Sequence, residues 1–325
     1  MNIFSSYLKT TDPEENMSAS DKKNDKVMNQ DTSDRVPEHG QMLIAQLLFR
    51  EKPEAADPKK LEKILKKHLG KLENLTDKPD MYMFGCKEHI AEFANNEKVP
   101  VTANFLVSEF GTANIDELKR SQFWDYRDGA AKIDEFKWCV GTFTMLGGGL
   151  PYKEQAEMFL AQVDAALQCF PGCEAIYIPH SGKLTAPEDF EDCKRFDLAG
   201  RFIRLAVNAR FFRINGTKDD MVVDTIGFYA FGGADVQVHF HGMDPNHVVN
   251  YVYNLASYQF NNEFPIKSGD TVDSLDQNGA MQWEPQWKTQ YEDSLIQPVR
   301  TVLDINCGEY AAGDRNSAFE SQEPQ

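Results

Sequence analysis

His239, His241 and His247 are the residues whose type and spacing best suit chemistry. Residues two apart on a strand project to the same face, so His239 and His241 would stand together. His247 follows in the first turn of the next helix. Two imidazoles on a strand with a third nearby can hold Zn²⁺ or another divalent ion, and Asp224 or Asp235 could add a carboxylate. A plainer reading fits the same letters. Val236, Val238 and Phe240 take the opposite face, which makes Gln237, His239 and His241 the polar side of a half-buried strand. Arg210 and Asp224 are expected to meet across a hairpin, where an ion pair could fix register or receive a ligand, with Asp235 as a further ligand-site residue.

Other chemical motifs are weaker. Cys86 and His89 are close in sequence, but Cys86 ends an apolar strand and reads as a buried structural thiol. Gly147-Gly148-Gly149 precedes a helix, yet no Gly-Lys-Ser/Thr follows and the GxGxxG spacing is missing, so it reads as a strand-to-helix corner. No GxSxG elbow occurs. Lys59, Lys60, Lys63, Lys66, Lys67 and Lys71 make one helix locally basic, either a wet face or a dock for an acidic partner.

The elements that must position these residues alternate between strand and helix. Met42–Phe49 has strand length. Asp57 and Pro58 then open a helix with Leu61, Ile64, Leu65 and Leu69 on one face. Met81–Gly85 and Val99–Val107 are extended. Phe136–Met145 is a strand, and Pro151 opens a helix whose stripe is Ala156, Phe159, Leu160, Val163, Ala166 and Leu167. Ala175–Ile178 returns as a strand. Alternation of Ile203, Leu205, Val207, Ala209 and Phe211 predicts a long strand within Ala199–Ile214, paired with Met221–Tyr229 through the Asn215–Gly216 turn. A strand at 235–241 leads to a helix capped by Asp244 and opened by Pro245. These elements give an α+β fold: a mixed, largely antiparallel sheet with helices on one face, arranged as two similar α/β sandwich halves. The expected divisions are a flexible tail at 1–40, an N-terminal lobe at 41–120, a C-terminal lobe at 121–308 and a second flexible tail at 309–325.

Composition limits the function classes. The 325 residues carry a formal charge of −17, which opposes binding to nucleic acid or anionic lipid. No apolar run reaches the roughly 18 residues of a membrane span. The first residues lack the pattern of a secretory signal, and six cysteines in such a chain read as reduced thiols. The expected location is the cytoplasm.

The ordered blocks LAVNARFFRI (205–214), MVVDTIGFYAFGGADVQVHFHGMDP (221–245), NYVYNLASYQF (250–260), SGDTVD (268–273) and YEDSLIQPVRTVLDI (291–305) resemble the domain of unknown function 4261 family. MLIAQLLF, GGGLPYKEQ and EAIYIPHSGKLTAPEDF are similar to its earlier blocks, so the resemblance spans roughly residues 40–308. It implies a mostly bacterial, soluble protein related to neighbours of toxin–immunity systems, and it brings no catalytic set. The expected function is a non-catalytic binding or regulatory module, immunity-like, whose protein partner is basic. The alternative is a metal-dependent hydrolase built on the His/Asp cluster.

Overall fold

The computed structural model describes residues 30–37, 42–92, 96–215, 217–276 and 278–313. Within them the chain forms two units. The first takes residues 42–208 and Gly227–Gly233; the second takes 30–37, Ala209–Ile226 and 234–313. The expected division near residue 120 is therefore replaced by one between Asn208 and Ala209. The reason is apolar packing: Phe110, Ile115, Phe123, Ile133 and Phe136 cluster with Leu48, Cys139, Tyr177 and Leu184 of the first unit.

The first unit runs β1 (Ile44–Phe49), α1 (Pro58–Leu69), β2 (Leu72–Lys78), β3 (Met81–Glu92), β4 (Lys98–Glu109), α2 (Glu117–Arg120), α3 (Gly129–Lys132), β5 (Trp138–Met145), α4 (Tyr152–Cys169), β6 (Ala175–Ile178), β7 (Lys183–Thr185), α5 (Pro187–Cys193) and α6 (Leu198–Ala206). Its strands make one antiparallel sheet in the order β2-β3-β4-β5-β1-β6-β7. The Asp57 side chain accepts from Lys59 N at 2.9 Å and Pro58 fills the first turn, so α1 starts where the sequence places it. Leu61, Ile64, Leu65 and Leu69 are buried, and the lysines take the other side. Phe84, Phe105, Val107 and Val140 point to α1 and α4 from one face of the sheet. On the other face, the 110–136 segment covers only the end near β1 and β6.

α6 replaces most of the long strand expected within Ala199–Ile214. Ile203, Leu205 and Val207 alternate as a strand would, but Ala199, Phe202, Ile203 and Ala206 are also spaced i, i+3, i+4, i+7, and all four are buried. Asp197 settles the choice by accepting from Gly200 N at 2.8 Å, an N-cap.

The second unit runs β8 (Asn208–Arg213), β9 (Met221–Ile226), β10 (Asp235–Phe240), α7 (Pro245–Asn261), β11 (Thr271–Leu275), β12 (Met281–Asp293) and β13 (Thr301–Asn306). Its sheet has the order β11-β12-β13-β10-β9-β8, and β10 with β13 is parallel. The expected hairpin is present in shortened form as β8 and β9. Asp244 caps α7, accepting from Asn246 N at 2.8 Å, with Pro245 in the first turn. Val248, Tyr251, Val252 and Leu255 of α7 pack on Val223, Val236, Val238, Phe240, Leu303 and Ile305. The two sheets, largely antiparallel with helices on a face, make the fold α+β as expected.

Two stretches assigned to the expected tails, 30–37 and 309–313, pack on the second unit. Arg35 N donates to Tyr291 O at 3.0 Å, so residues 30–37 lie along β12. Ala311 bridges Phe240 and is buried. The rest of each tail lies outside the described residues.

Between β9 and β10 the chain contributes Gly227–Gly233 to the first unit. Phe228 stacks on Phe202 at 6.4 Å, and Tyr229 donates to the His180 carbonyl at 2.7 Å. A Cβ on Gly227 would lie 2.7 Å from Ala206 O and 2.9 Å from Val207 Cα, both backbone atoms that cannot yield cheaply. Gly227→Ala is therefore expected to cost about 1–3 kcal/mol, read as a lower urea midpoint.

The His180 ring is buried, and neither nitrogen has a hydrogen-bond partner among the described residues. Burial lowers its pKa from 6.5 to about 3. Between those values the unfolded imidazole binds a proton and the folded one does not. Stability is therefore full above pH 6.5 and falls as pH drops toward 3. His180→Phe should remove that dependence. Its stability relative to wild type is expected to rise by up to about 1.4 kcal/mol per unit of pH below 6.5 in urea titrations.

Candidate functional site

Strand alternation gives the second sheet two different faces. The odd-numbered residues of β10, Asp235, Gln237 and His239, face away from α7, and all three are buried. Register aligns Gln237 with Asp224 of β9 and with Asp304 of β13, so these side chains share the polar face. Glu292 of β12 belongs there too, since it and Gln290 alternate opposite Val302 and Asp304.

At one side of this face lies an ion network. Arg210 makes a bidentate pair with Asp224, Nε to Oδ1 at 2.9 Å and Nη2 to Oδ2 at 2.5 Å. Arg300 joins Asp224 and Asp235, with Nη2 to Asp224 Oδ2 at 2.8 Å and Nε to Asp235 Oδ2 at 3.2 Å. Burial works against the Arg300 charge, but Asp224 and Asp235 outweigh it and raise the pKa. The remaining donors reach backbone: Arg210 Nη1 to Gln297 O at 2.8 Å, and Arg300 Nη1 to Ile296 O at 3.2 Å and Pro298 O at 3.1 Å. Arg210, Asp224 and Asp235 are thus brought together, and the Arg210–Asp224 contact is the one expected across the hairpin.

Beside this network, the Gln237 amide donates to Asp304 Oδ1 at 2.9 Å and its oxygen accepts from Leu295 N at 2.8 Å. Gln30 inserts from the 30–37 segment. Its nitrogen donates to Asp304 Oδ1 at 3.1 Å and contacts Glu292 Oε1, and its oxygen lies 3.2 Å from His239 Nδ1.

The three histidines do not converge. His239 is buried on the polar face. The β10 ladder ends at Phe240, and His241, partly exposed, bonds through its backbone N–H to Tyr310 O at 2.8 Å. His247 instead lines a cleft of about 200 Å³ with Asp244, Asp276 and Tyr310. Among the described residues no group of three or more His, Cys, Asp or Glu side chains could hold a metal ion, so the expected three-histidine centre is not assembled. Alternation alone did not anticipate that the strand would stop one residue before His241.

Cys86 and His89 also part company. Burial pushes the Cys86 thiol up to about 11, while His89 Nδ1 contacts the Glu154 carboxylate. At neutral pH Cys86 is a protonated thiol, not a nucleophile.

The sequence reading missed Arg300, Glu292, Asp304 and Gln30. A Gln/Glu/Asp/Arg set scattered over 30–304 has no local spacing. The available hint was that Asp304 lies inside, and Arg300 just before, an otherwise apolar strand, VLDI (302–305), that reads as buried.

Residues 224–306 match the model of the family described as Domain of unknown function (DUF4261). The match is narrower than the 40–308 resemblance expected, and it begins at Asp224 and includes Asp235, Arg300 and Asp304. No curated protein and no solved structure matches the chain.

Removing one partner of a buried network leaves the others uncompensated, which costs about 3–5 kcal/mol. Asp224→Asn is expected to lose stability of that order. In a double-mutant cycle with Arg210→Met, the two losses should fall well short of additive. Chemical unfolding of the four proteins measures both.

Proposed function

We propose that the chain is a protein-binding module and that its contact surface is the open face of the first sheet. The observation that supports this is an apolar patch across four adjacent strands. Leu75, Met81, Leu106 and Met145 are 49%, 36%, 41% and 43% exposed. Met81 lies directly opposite Leu106, and Met145 opposite Thr102, four residues from Leu106 on the same side of β4. Leu75 reaches over Gly85, two residues beyond half-buried Met83. Phe143 and Ile44 extend the surface toward β1.

Exposed apolar side chains gathered on neighbouring strands of one face are the kind of surface that marks contact sites. Methionine suits it because a flexible, polarisable side chain adapts to a partner. The formal charge of −17 favours a basic partner, whose approach it steers. An immunity-like role, capture of a basic toxin in a bacterial cytoplasm, is the specific form that this charge and the family resemblance favour. The described cysteines are free and most are buried, which fits a reducing compartment. Among the described residues no helix is long and apolar enough to cross a membrane.

The test compares the full chain with Met81→Ser/Leu106→Lys in affinity purification from native extract. Wild type should retain a basic protein that the variant retains at least tenfold less, with an unchanged thermal midpoint. Loss of two buried apolar contacts, each worth roughly 1.5–3 kcal/mol, is ample for that factor. Equal recovery by both proteins, or a doubled mass of the wild type alone in sedimentation, would sink the reading.

A further inference from the structure

We propose that the cleft beside the start of α7 binds a primary ammonium group on a short apolar stem, carried by a free amine or by a lysine side chain. The cleft belongs to the second unit and does not depend on the open face of the first sheet.

Topology builds the cleft. β12 is antiparallel to both β11 and β13, and β13 is parallel to β10, so β10, β11 and β13 point the same way. The lining residues follow the carboxyl ends of all three strands. Met243, Asp244 and His247 come after β10, Leu275 and Asp276 close β11, and Tyr310 comes after β13. In open sheets with parallel strands, ligands bind in the crevice beyond such ends. Backbone contacts fix the walls. His241 N donates to Tyr310 O at 2.8 Å, and the turn after β11 closes through Gly279 N to Asp276 O at 3.0 Å and Asp276 N to Ala280 O at 2.9 Å. A Cβ on Gly279 would stand 2.6 Å from His247 Cδ2 and 2.7 Å from Nδ1, so the imidazole lies directly on this turn.

The polar atoms decide the charge of the ligand. An anion would need the N–H groups that open α7, and these are already engaged. Asn246 N donates to Asp244 Oδ1 at 2.8 Å, His247 N and Val248 N donate to Asp244 O at 3.0 and 3.3 Å, and Pro245 has no N–H. Acceptors remain instead. Among the described residues Asp244 Oδ2 has no hydrogen-bond partner, and Asp276 Oδ2 has only Gln282 Nε2 at 3.4 Å. No Lys or Arg is among the described residues that line the cleft. An ammonium donates to carboxylate oxygens with the help of its charge.

Size and lining set the rest of the ligand. The cleft holds about 200 Å³, below the roughly 300–1,000 Å³ of sites for drug-sized molecules, so it takes a group of few heavy atoms. Met243 and Leu275 offer apolar surface to a stem, while Asp244 and Asp276 receive the charged end.

The experiment titrates the full chain with butylammonium chloride near neutral pH, by calorimetry. Wild type should show one saturable site. Asp244→Asn/Asp276→Asn should weaken it at least tenfold at an unchanged thermal midpoint, because Asn keeps the acceptor at a helix cap and in an Asx-turn while removing the charge. Sodium butyrate and butanol should not compete. Absence of saturable binding, equal affinity of wild type and variant, or butyrate bound as tightly as butylammonium would each overturn the proposal. Should the double variant lose stability, Asp244→Asn alone should still weaken binding severalfold, and an unchanged affinity would overturn the proposal equally. A blocked tripeptide with a central lysine separates the two sources: tighter binding than butylammonium assigns the site to a protein's lysine, weaker binding to a free amine.

Discussion

Arg300 is the residue on which the second unit's register depends, because it stands between Asp224 of β9 and Asp235 of β10 while its own strand, β13, begins at the next position. A buried pair of this kind gains little over well-packed apolar residues, but it tolerates no misplacement. Slipping any of these strands by one residue would turn its carboxylate toward α7 and leave a guanidinium facing nothing. The network also holds the 296–298 loop, since three of its carbonyls accept from Arg210 and Arg300. Register, strand order and loop position therefore follow from one set of ionic contacts.

The two sheets use their second faces in opposite ways. In the first unit the face away from α1 and α4 is apolar and partly open, with Met81 and Leu106 paired across strands and exposed. In the second, the corresponding face is polar and buried, with carboxylates, guanidiniums and amides satisfying one another. An open apolar face suits association, which removes it from water. A buried polar face holds each of its groups to its partner, because a group left unmatched there carries its full desolvation cost.

Much of the scaffold is legible from capping and periodicity. Asp57-Pro58 and Asp244-Pro245 locate helix starts, and the apolar spacing in α1 and α4 identifies their buried faces. α6 was misread because 199, 202, 203 and 206 carry a helical stripe while 203, 205, 207 and 209 mimic alternation; the cap at Asp197 decided between them. β2, LENLTDK, and β12, MQWEPQWKTQYED, were passed over because an edge strand or a largely exposed one needs few apolar residues. The Arg210–Asp224 pairing was readable from the hairpin. The participation of Arg300, Glu292 and Gln30 was not, since strand order, not local spacing, brings them together.

The parallel pairing of β10 with β13 carries a consequence for how the second unit comes into being. Adjacent parallel strands are separated here by α7, β11 and β12, so their contact closes a long loop and raises contact order. During synthesis, β8, β9 and β10 emerge well before Arg300, and until it arrives Asp224 and Asp235 lack the guanidinium that joins them. Hydrated carboxylates resist burial, which disfavours premature collapse of that sheet face. The second unit should therefore consolidate after the ribosome has passed residue 300, whereas the first, with strands joined by hairpins and a helix stripe close at hand, can settle while the chain is still growing.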